Sequence, residues 1–350
     1  MLRLGDSPCC NMMRVDPLGI SESEALLTLR NVSNTYITQA YGIFGRKHKK
    51  PVVDQVDLTL APGELFGLVG ESGCGKTSLG RCILGLIDYE GDIIIDGLRQ
   101  DKRRHRELAR KVQAVFQDPA GSLNPAKYIG WILEEPLRIH RIGTKEERIQ
   151  KVDQVLQLVG LDPSYKTRKV HELSGGQKQR VCIGCALMLD PKLIIADEAI
   201  SSLDVSVGAQ ILNLFQDLHQ RLGLALVFIS HNLNVVYYLC DRIAVMYSGQ
   251  IVELGTAEEI YSAPAHPYTR ALLDAIPELN CEIPSSAADK PYVELVLPVQ
   301  FPLEELPGCR FAGRCPWKGD ACGHTPQELV ALPGNPPHLV RCQRLGRINA

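Results

Sequence analysis

An apolar run from Leu65 to Val69 breaks into Gly70-Glu71-Ser72-Gly73-Cys74-Gly75-Lys76-Thr77-Ser78 and then turns amphipathic toward Leu84. No other stretch constrains the chain as tightly, because a strand, a glycine turn and a helix must follow one another without a break. The order G-x-x-x-x-G-K-[ST] has a chemical reason. Glycines at 70, 73 and 75 let the backbone turn its N–H groups inward around phosphate oxygens without interference from Cβ. In that geometry Lys76 reaches the β- and γ-phosphates, and the Thr77 hydroxyl can ligate Mg²⁺. A helix beginning near Thr77 points the positive end of its dipole at the same anion. A glycine turn with a chance lysine would match the pattern but would leave both flanks unexplained. The stretch therefore implies a nucleoside triphosphate site.

The rest of the chain bounds what that site can serve. Its 350 residues allow two or three domains, the first with a substantial core. A formal net charge of −2 gives no overall positive field, so no nucleic acid is expected as a partner. The basic runs at 46–50 and 102–106 read as solvated faces. No apolar run approaches the roughly 18 residues that span a bilayer, and the first nineteen residues lack the apolar stretch of a secretory signal. Residues 1–24 read as a loosely ordered leader and the chain as cytosolic, with any membrane role exercised through a partner.

Residues 25–60 read as antiparallel strands, with period-two apolar positions at Val56, Leu58 and Leu60 and a polar hairpin insertion at 41–50. Tyr36, near the end of the first strand, either stacks on a nucleotide base or packs the sheet. Short strands are expected at 90–97 and 111–116, the second ending at Gln117-Asp118-Pro119. From about 119 to 180 the character is helical: Val152, Val155, Leu156 and Val159 fall at i, i+3, i+4 and i+7, and Gly160 stops the run. The apolar strand at 192–197 ends in Asp197-Glu198, a helix starts at about Val205, and the strand at 225–230 ends at His231. Hairpin strands at 242–247 and 250–254 flank Ser248-Gly249. Strands alternating with helices mean a mostly parallel sheet with its ligand at the strand C-terminal ends. Lys76, Gln117, Asp197 and His231 all fall there. After about residue 262 proline becomes frequent and periodicity is lost, so the tail reads as a separate, weakly structured appendage.

Two further stretches carry chemistry. A carboxylate closing an apolar strand is costly unless it meets a cation or donors, and Mg²⁺ on the phosphates would supply Asp197 with one. Glu198 beside it could activate the attacking water. Leu173-Ser174-Gly175-Gly176-Gln177 opens a second helix with a serine cap, another anion-binding start. An ordinary cap with glycines for close packing is the plain alternative. One γ-phosphate meets two such helix ends if two chains face each other head to tail.

Gly70–Thr77, Gln117, Leu173–Gln177, Ile194–Glu198, Ser201–Asp204 and Ile229–His231, in that order and spacing, resemble the motifs of ABC-transporter ATPases over about residues 25–260. The Ser-Gly-Gly-Gln signature is not shared by other phosphate-loop families. Val115–Pro119 with Leu123-Asn124-Pro125, the run Ala265–Leu273 and the cysteine tail resemble, more narrowly, the ATP-binding subunits of bacterial oligopeptide, dipeptide and nickel importers. The resemblance implies an α/β fold: a phosphate-loop ABC ATPase core at 25–262 with a mostly parallel sheet, an antiparallel β subdomain, a helical insertion at about 119–180, and a Cys-containing C-terminal appendage at 263–350. It implies ATP and Mg²⁺. Tyr36 would stack on adenine, and Gly70 to Ser78 would cradle the phosphates. Thr77, Gln117 and Asp197 would hold Mg²⁺, with Gln117 also contacting the water and sensing the membrane partner. Glu198 would activate the water and His231 would hold the γ-phosphate. Ser174, Gly175, Gly176 and Gln177 would act on ATP bound to the opposite subunit, and Asp204 would lie at the dimer seam.

The function so implied is ATP-driven closure, hydrolysis and reopening that power import of di- or oligopeptides. The implied partners are integral permease subunits, a second and different ABC ATPase, and indirectly an extracytoplasmic solute-binding protein. The implied place is the cytoplasmic face of the inner membrane, as a peripheral subunit. Nickel or metal-chelate import is the alternative; a soluble ABC ATPase not tied to a transporter comes behind it. A small-molecule kinase would leave the Ser-Gly-Gly-Gln stretch and His231 idle. Ala199, where most members have proline, and Asn232, where aspartate is commoner, depart from the pattern; neither removes a group that touches phosphate.

Of twelve cysteines, eight are scattered and read as small core residues or surface thiols, Cys74 included. The other four, Cys309, Cys315, Cys322 and Cys342, crowd the tail. A disulfide framework does not suit the cytosol. Four thiolates suit Zn²⁺ or a [4Fe–4S] cluster, or the four stay as packed thiols. Paired C-x2-C knuckles usual for zinc are missing, and similar tails of peptide-importer ATPases carry an iron–sulfur cluster, which the resemblance therefore implies. His338 is a nearby candidate to support the ligands.

Overall fold

A computed structural model describes residues 24–39, 47–275, 307–332 and 335–344. The expected leader, apart from Glu24, and most of the polar insertion lie outside the described residues, as does the stretch from 276 to 306.

In chain order, β1 (Leu27–Gln39) and β2 (Lys47–Leu60) pair antiparallel and lead into β3 (Leu65–Val69) and α1 (Lys76–Ile83). Next come β4 (Glu90–Ile95), β5 (Leu98–Arg99), α2 (His105–Lys111) and β6 (Val112–Val115). Helices α3 (Pro119–Ser122), α4 (Ile129–His140), α5 (Lys145–Leu158) and α6 (Gly175–Leu187) fill the insertion. The chain then alternates through β7 (Leu193–Asp197), α7 (Val205–Leu222), β8 (Ala225–Ser230), α8 (Leu233–Leu239), β9 (Arg242–Tyr247) and β10 (Gln250–Thr256). It ends in α9 (Ala257–Ser262), α10 (Pro267–Asp274), β11 (Val330–Leu332) and β12 (Asn335–Val340).

Two sheets result, one in the order β2-β1-β4-β5 and one in the order β11-β12-β10-β9-β3-β8-β7-β6. From β9 to β6 every pairing in the second sheet is parallel. The strand period of two sorts its side chains. Leu65 and Val69 of β3, with Ile194, Ala196, Leu226 and Phe228, join the core shared with α4 to α8. Phe66 and Leu68, with Ile195, Val227 and Ile229, join the core shared with α1 and the four-stranded sheet. Strands apolar on both faces must be covered on both, and here one layer is helical and the other is largely a second sheet.

Local chemistry sets the helix ends. Thr144 and Glu147 cap α5 reciprocally, Thr144 Oγ1 accepting from Glu147 N at 3.2 Å and Glu147 Oε2 from Thr144 N at 2.6 Å. Pro136 stays inside α4, which ends on Arg141 in the left-handed region (φ 56°).

The tail differs from its expectation. Its described residues do not form a loose appendage: β12 pairs antiparallel with β10, Val340 opposite Glu253 and Leu339 opposite Leu254, and so extends the core sheet. Phe311 is buried in the larger core. The sequence loses periodicity here because short pieces are held by partners far away in the chain, which no local pattern records.

Candidate nucleotide site and the tail that braces it

The glycine loop threads between β2 and β9. A Cβ on Gly75 would lie 2.2 Å from Val52 O, and one on Gly70 would lie 2.1 Å from Met246 O. Both residues also take positive φ, 111° and 155°, so both positions exclude a side chain. The turn between β9 and β10 supports the loop from below: Gly249 N donates to Cys74 O at 2.7 Å, and Asp54 N of β2 donates to Gly249 O at 2.9 Å. No side chain caps the start of α1, whose N-cap is Gly75, which leaves its first N–H groups for a ligand.

Lys76 is only 4% exposed. Its Nζ donates to Gly70 O at 2.7 Å and Glu71 O at 3.0 Å, so the ammonium lies inside the curve of the loop. Cys74 Sγ is 3.7 Å from the same nitrogen, and burial pushes the Cys74 thiol up, which keeps it neutral.

Thr77 Oγ1 donates to Asp197 Oδ1 at 3.0 Å, across 120 residues of chain. Burial raises the Asp197 carboxyl, the Thr77 hydrogen bond opposing it. Two oxygens 3.0 Å apart match adjacent vertices of an octahedron with metal–oxygen bonds of about 2.1 Å, the Mg²⁺ geometry. Asp197 is half-buried, and burial raises its carboxyl despite the Thr77 bond and the charges of Arg81 and Lys76, so a further cation would stabilise its charged form. The pair therefore fits Mg²⁺.

Parallel pairing of β7 with β8 sets Asp197 opposite Ile229 and brings the next residues together. Glu198 N donates to Ile229 O at 3.0 Å, and Glu198 Oε1 lies 3.5 Å from His231 Nδ1. Glu198 has φ 48°, a conformation costly for a non-glycine residue, held by that bond and by Ser201, whose N and Oγ both donate to Glu198 O at 3.1 and 2.9 Å. Gln117 follows β6 exposed, and its carbonyl accepts from Ser202 Oγ at 3.4 Å, which ties it to the 201–204 turn. Asn232 takes over the cap expected of aspartate, its Oδ1 accepting from Asn234 N at 3.0 Å.

The second helix start is built and outward-facing. Ser174 is exposed and caps α6 reciprocally with Gln177, whose Oε1 accepts from Ser174 N at 3.0 Å. The Gln177 amide Nε2 donates to Tyr165 OH at 3.0 Å. A Cβ on Gly176 would lie 2.5 Å from Val207 Cγ1, so that glycine lets α6 meet the first turn of α7. Asp204 caps α7 through Val207 N at 2.8 Å and Ser206 Oγ at 2.7 Å, and these donors hold its carboxyl below the usual range. Tyr36 stands on β1, 43% exposed, in the other sheet.

Sequence reasoning missed the tail's grip on the loop. Glu71 N donates to the hydroxyl of Tyr268, a fully buried residue of α10, at 2.8 Å. The Glu71 carboxylate takes both Arg314 nitrogens, Nη1 to Oε2 and Nη2 to Oε1, each at 2.9 Å. Arg310 pairs with Asp54 and Ser248 O next to it. A signal existed: the Ala265–Leu273 run stood out, but only as a mark of resemblance.

Cys309, Cys315, Cys322 and Cys342 line one narrow, apolar cavity together with His266 and Trp317. Gly319 N donates to Cys322 Sγ at 3.4 Å and Arg344 N to Cys342 Sγ at 3.5 Å, the backbone N–H···S contacts that suit thiolates. Burial pushes Cys309 and Cys342 up, and Cys315 up to about 11. Among the described residues no group of three or more histidine, cysteine or carboxylate side chains is gathered closely enough to hold a metal ion. His338 is not at the cavity. Its Nε2 meets Glu253 Oε1 at 2.6 Å, and Glu253 accepts in turn from Ala265 N and His266 N at 2.6 and 2.9 Å.

The family described as ABC transporter matches residues 53–201, and the oligopeptide/dipeptide transporter C-terminal region matches residues 252–322. The dipeptide transport ATP-binding protein DppF of Escherichia coli is 43% identical over 308 residues, 86% of this chain and 89% of that protein. The chain belongs to the ABC transporter ATPases. A Brucella ovis protein named for peptide import and ATP binding is 43% identical over 323 residues, 91% of this chain and 98% of its own length. The dimeric bacterial ABC transporter cassette MJ0796 superposes with a TM-score of 0.58 at 28% identity, covering 66% of this chain and 98% of that one. CbiO1 of Clostridium perfringens shares the fold, with a TM-score of 0.60 at 24% identity over 69% of this chain and 92% of its own. The ATPase core is thus the α/β cassette that its motifs imply. No helix among the described residues is long and apolar enough to cross a membrane.

Proposed function

We propose that this ABC ATPase powers a bacterial importer of di- or oligopeptides from the cytoplasmic face of the membrane, against integral permease subunits and beside a second, related ATPase chain. A solute-binding protein outside the membrane would deliver the cargo. One observation carries the ATPase reading: Thr77 meets Asp197 at 3.0 Å while Glu198 meets His231 at 3.5 Å on the neighbouring strand ends. Lys76 and the uncapped start of α1 bind the phosphates. Thr77, Asp197 and Gln117 would hold Mg²⁺, which when bound neutralises phosphate charge. Glu198 accepts the proton of the attacking water, and His231 orients the γ-phosphate. Ser174 and Gln177 have their side chains tied into a cap, and Ser174 and Gly175 are exposed, which suits contact with ATP held by a partner chain; Asp204 would lie at that seam. Tyr36 is exposed enough to stack on adenine.

The peptide cargo rests on the relatives' names and on the matched C-terminal region. The chain expressed together with the permease subunits of its own organism should co-purify with them in detergent. Purification always free of membrane subunits would overturn the importer reading.

The four cysteines line one cavity and lack the paired C-x2-C knuckles usual for zinc, and on that spacing a [4Fe–4S] cluster is the occupant we propose over Zn²⁺. Protein purified without oxygen should be brown and contain about four irons per chain. Colourless protein containing zinc would overturn the assignment.

A further inference from the structure

Among the described residues, the tail's hydrogen bonds to the phosphate loop meet at Glu71, by two unlike contacts. The backbone N–H of Glu71 is satisfied by the Tyr268 hydroxyl, and its carboxylate by the fork of Arg314. Both contacts start beside the cysteine cavity. Tyr268 is two residues from His266, which lines it, and Arg314 directly precedes Cys315, which also lines it. Phe311, which lines the cavity, packs in an aromatic cluster with Tyr268, which bonds the loop. Tyr268 and Phe311 have ring centroids 5.5 Å apart, Tyr247 and Tyr268 4.6 Å, and His266 and Phe311 6.0 Å.

The segment that presents Tyr268 is itself tightly specified. His266 caps α10, its Nδ1 accepting from Tyr268 N at 3.1 Å, and Pro267 occupies the first helical position. Because Nδ1 accepts, the neutral ring carries its proton on Nε2, which is buried without a partner while the ring lines the cysteine cavity. Glu253, fully buried, fixes the backbone of Ala265 and His266 from the other side. His-Pro-Tyr is therefore a capped helix start with one end at the cavity and the other at the loop.

We infer that Tyr268 and Arg314 are positioning residues for the phosphate loop, through which the state of the four-cysteine cavity sets nucleotide affinity. The inference rests on reading residues 70–77 as the ATP cradle. Lys76 Nζ is bonded to Glu71 O, so a displaced Glu71 moves the lysine as well as the loop. An occupant of the cavity would take the free Nε2–H of His266 and order the turn around Cys315, which fixes Arg314. Affinity and occupancy are then linked, each raising the other.

Binding of a non-hydrolysable ATP analogue to the full chain, with turnover at saturating ATP measured beside it, tests this. Loss of one hydrogen bond, or of a charged pair, is expected to weaken binding about five- to tenfold in Tyr268→Phe and in Arg314→Gln. Turnover at saturation should fall less than affinity does, since bound ATP itself holds the loop that both residues position. Arg314→Lys, which keeps charge but not the fork, should recover only part of the loss. The paired change Cys309→Ser with Cys315→Ser should weaken binding in the parent but add nothing in a Tyr268→Phe/Arg314→Gln chain. If those serine variants do not fold, alkylation of the cavity thiols in the folded protein gives the same comparison. Unmoved analogue affinity in Tyr268→Phe and Arg314→Gln, or cysteine effects that add in full, would overturn the inference. A parent chain that binds no analogue at all would instead sink the ATP-cradle reading beneath it.

Discussion

Glu198→Gln protein is expected to bind ATP within about twofold of the parent and to hydrolyse it some 10²- to 10⁴-fold more slowly, the usual contribution of a positioned general base. The substitution is nearly isosteric. It keeps an oxygen facing His231 Nδ1, and it leaves the backbone bond from Glu198 N to Ile229 O that fixes the unusual φ. What disappears is the carboxylate that can take a proton. Asp197, next to it, cannot substitute, because its Oδ1 is engaged by Thr77. The check is phosphate release at saturating ATP, set beside equilibrium nucleotide binding on the same preparation. Turnover within a few-fold of the parent would remove Glu198 from the chemistry.

Ser174→Arg is expected to have the second-largest effect and to show it only in the assembled transporter. The variant loses a helix cap worth about 1 kcal/mol and sets a cation against the positive end of α6. Ser174 is exposed, so the fold should survive. The phosphate loop of the same chain packs elsewhere: α1 lies against β1, β2 and β7, while α6 lies against α3, α4, α5, α7 and β6. ATP affinity of the variant chain alone should therefore stay within about twofold, because on the proposed shared-pocket reading the site it damages would belong to the facing subunit. ATP turnover of the complete transporter should fall about 100-fold, the usual effect of removing one donor that stabilises transition-state charge. A chain that loses its own ATP affinity, or a transporter at full speed, would break the shared-pocket account.

The two sites were unequally legible. For the nucleotide site, every element that carries a functional residue announces itself locally. The phosphate loop needs glycines where the backbone passes within 2.2 Å of where a Cβ would stand. The Asp197-Glu198 pair ends an apolar strand, and Ser174 with Gln177 spells a capping box. Even the pairing of Asp197 with Thr77 follows from placing both at the C-terminal edge of one parallel sheet, Asp197 closing β7 and Thr77 opening the helix after β3, with β8 between the two strands. The tail resisted for a physical reason. Its bonds run between residues 197 and 243 positions apart, from Glu71 to Tyr268 and to Arg314, and each segment is too short to show a period. His338 likewise lies close to the cysteines in sequence, but its partner is Glu253, 85 residues away.

Sequence alone determined the chemistry: which residues can cradle a triphosphate, bind a divalent cation and activate water, because steric and electronic demands at each position admit few residue types. It determined the strand–helix alternation as well, since periodicity is a local property. Only the tertiary structure decided that the cysteine tail is part of the cassette rather than an attachment to it. That outcome depends on β10 offering an unpaired edge to β12 and on Glu71 offering both a backbone donor and a carboxylate, complementarities that exist only after the core has folded.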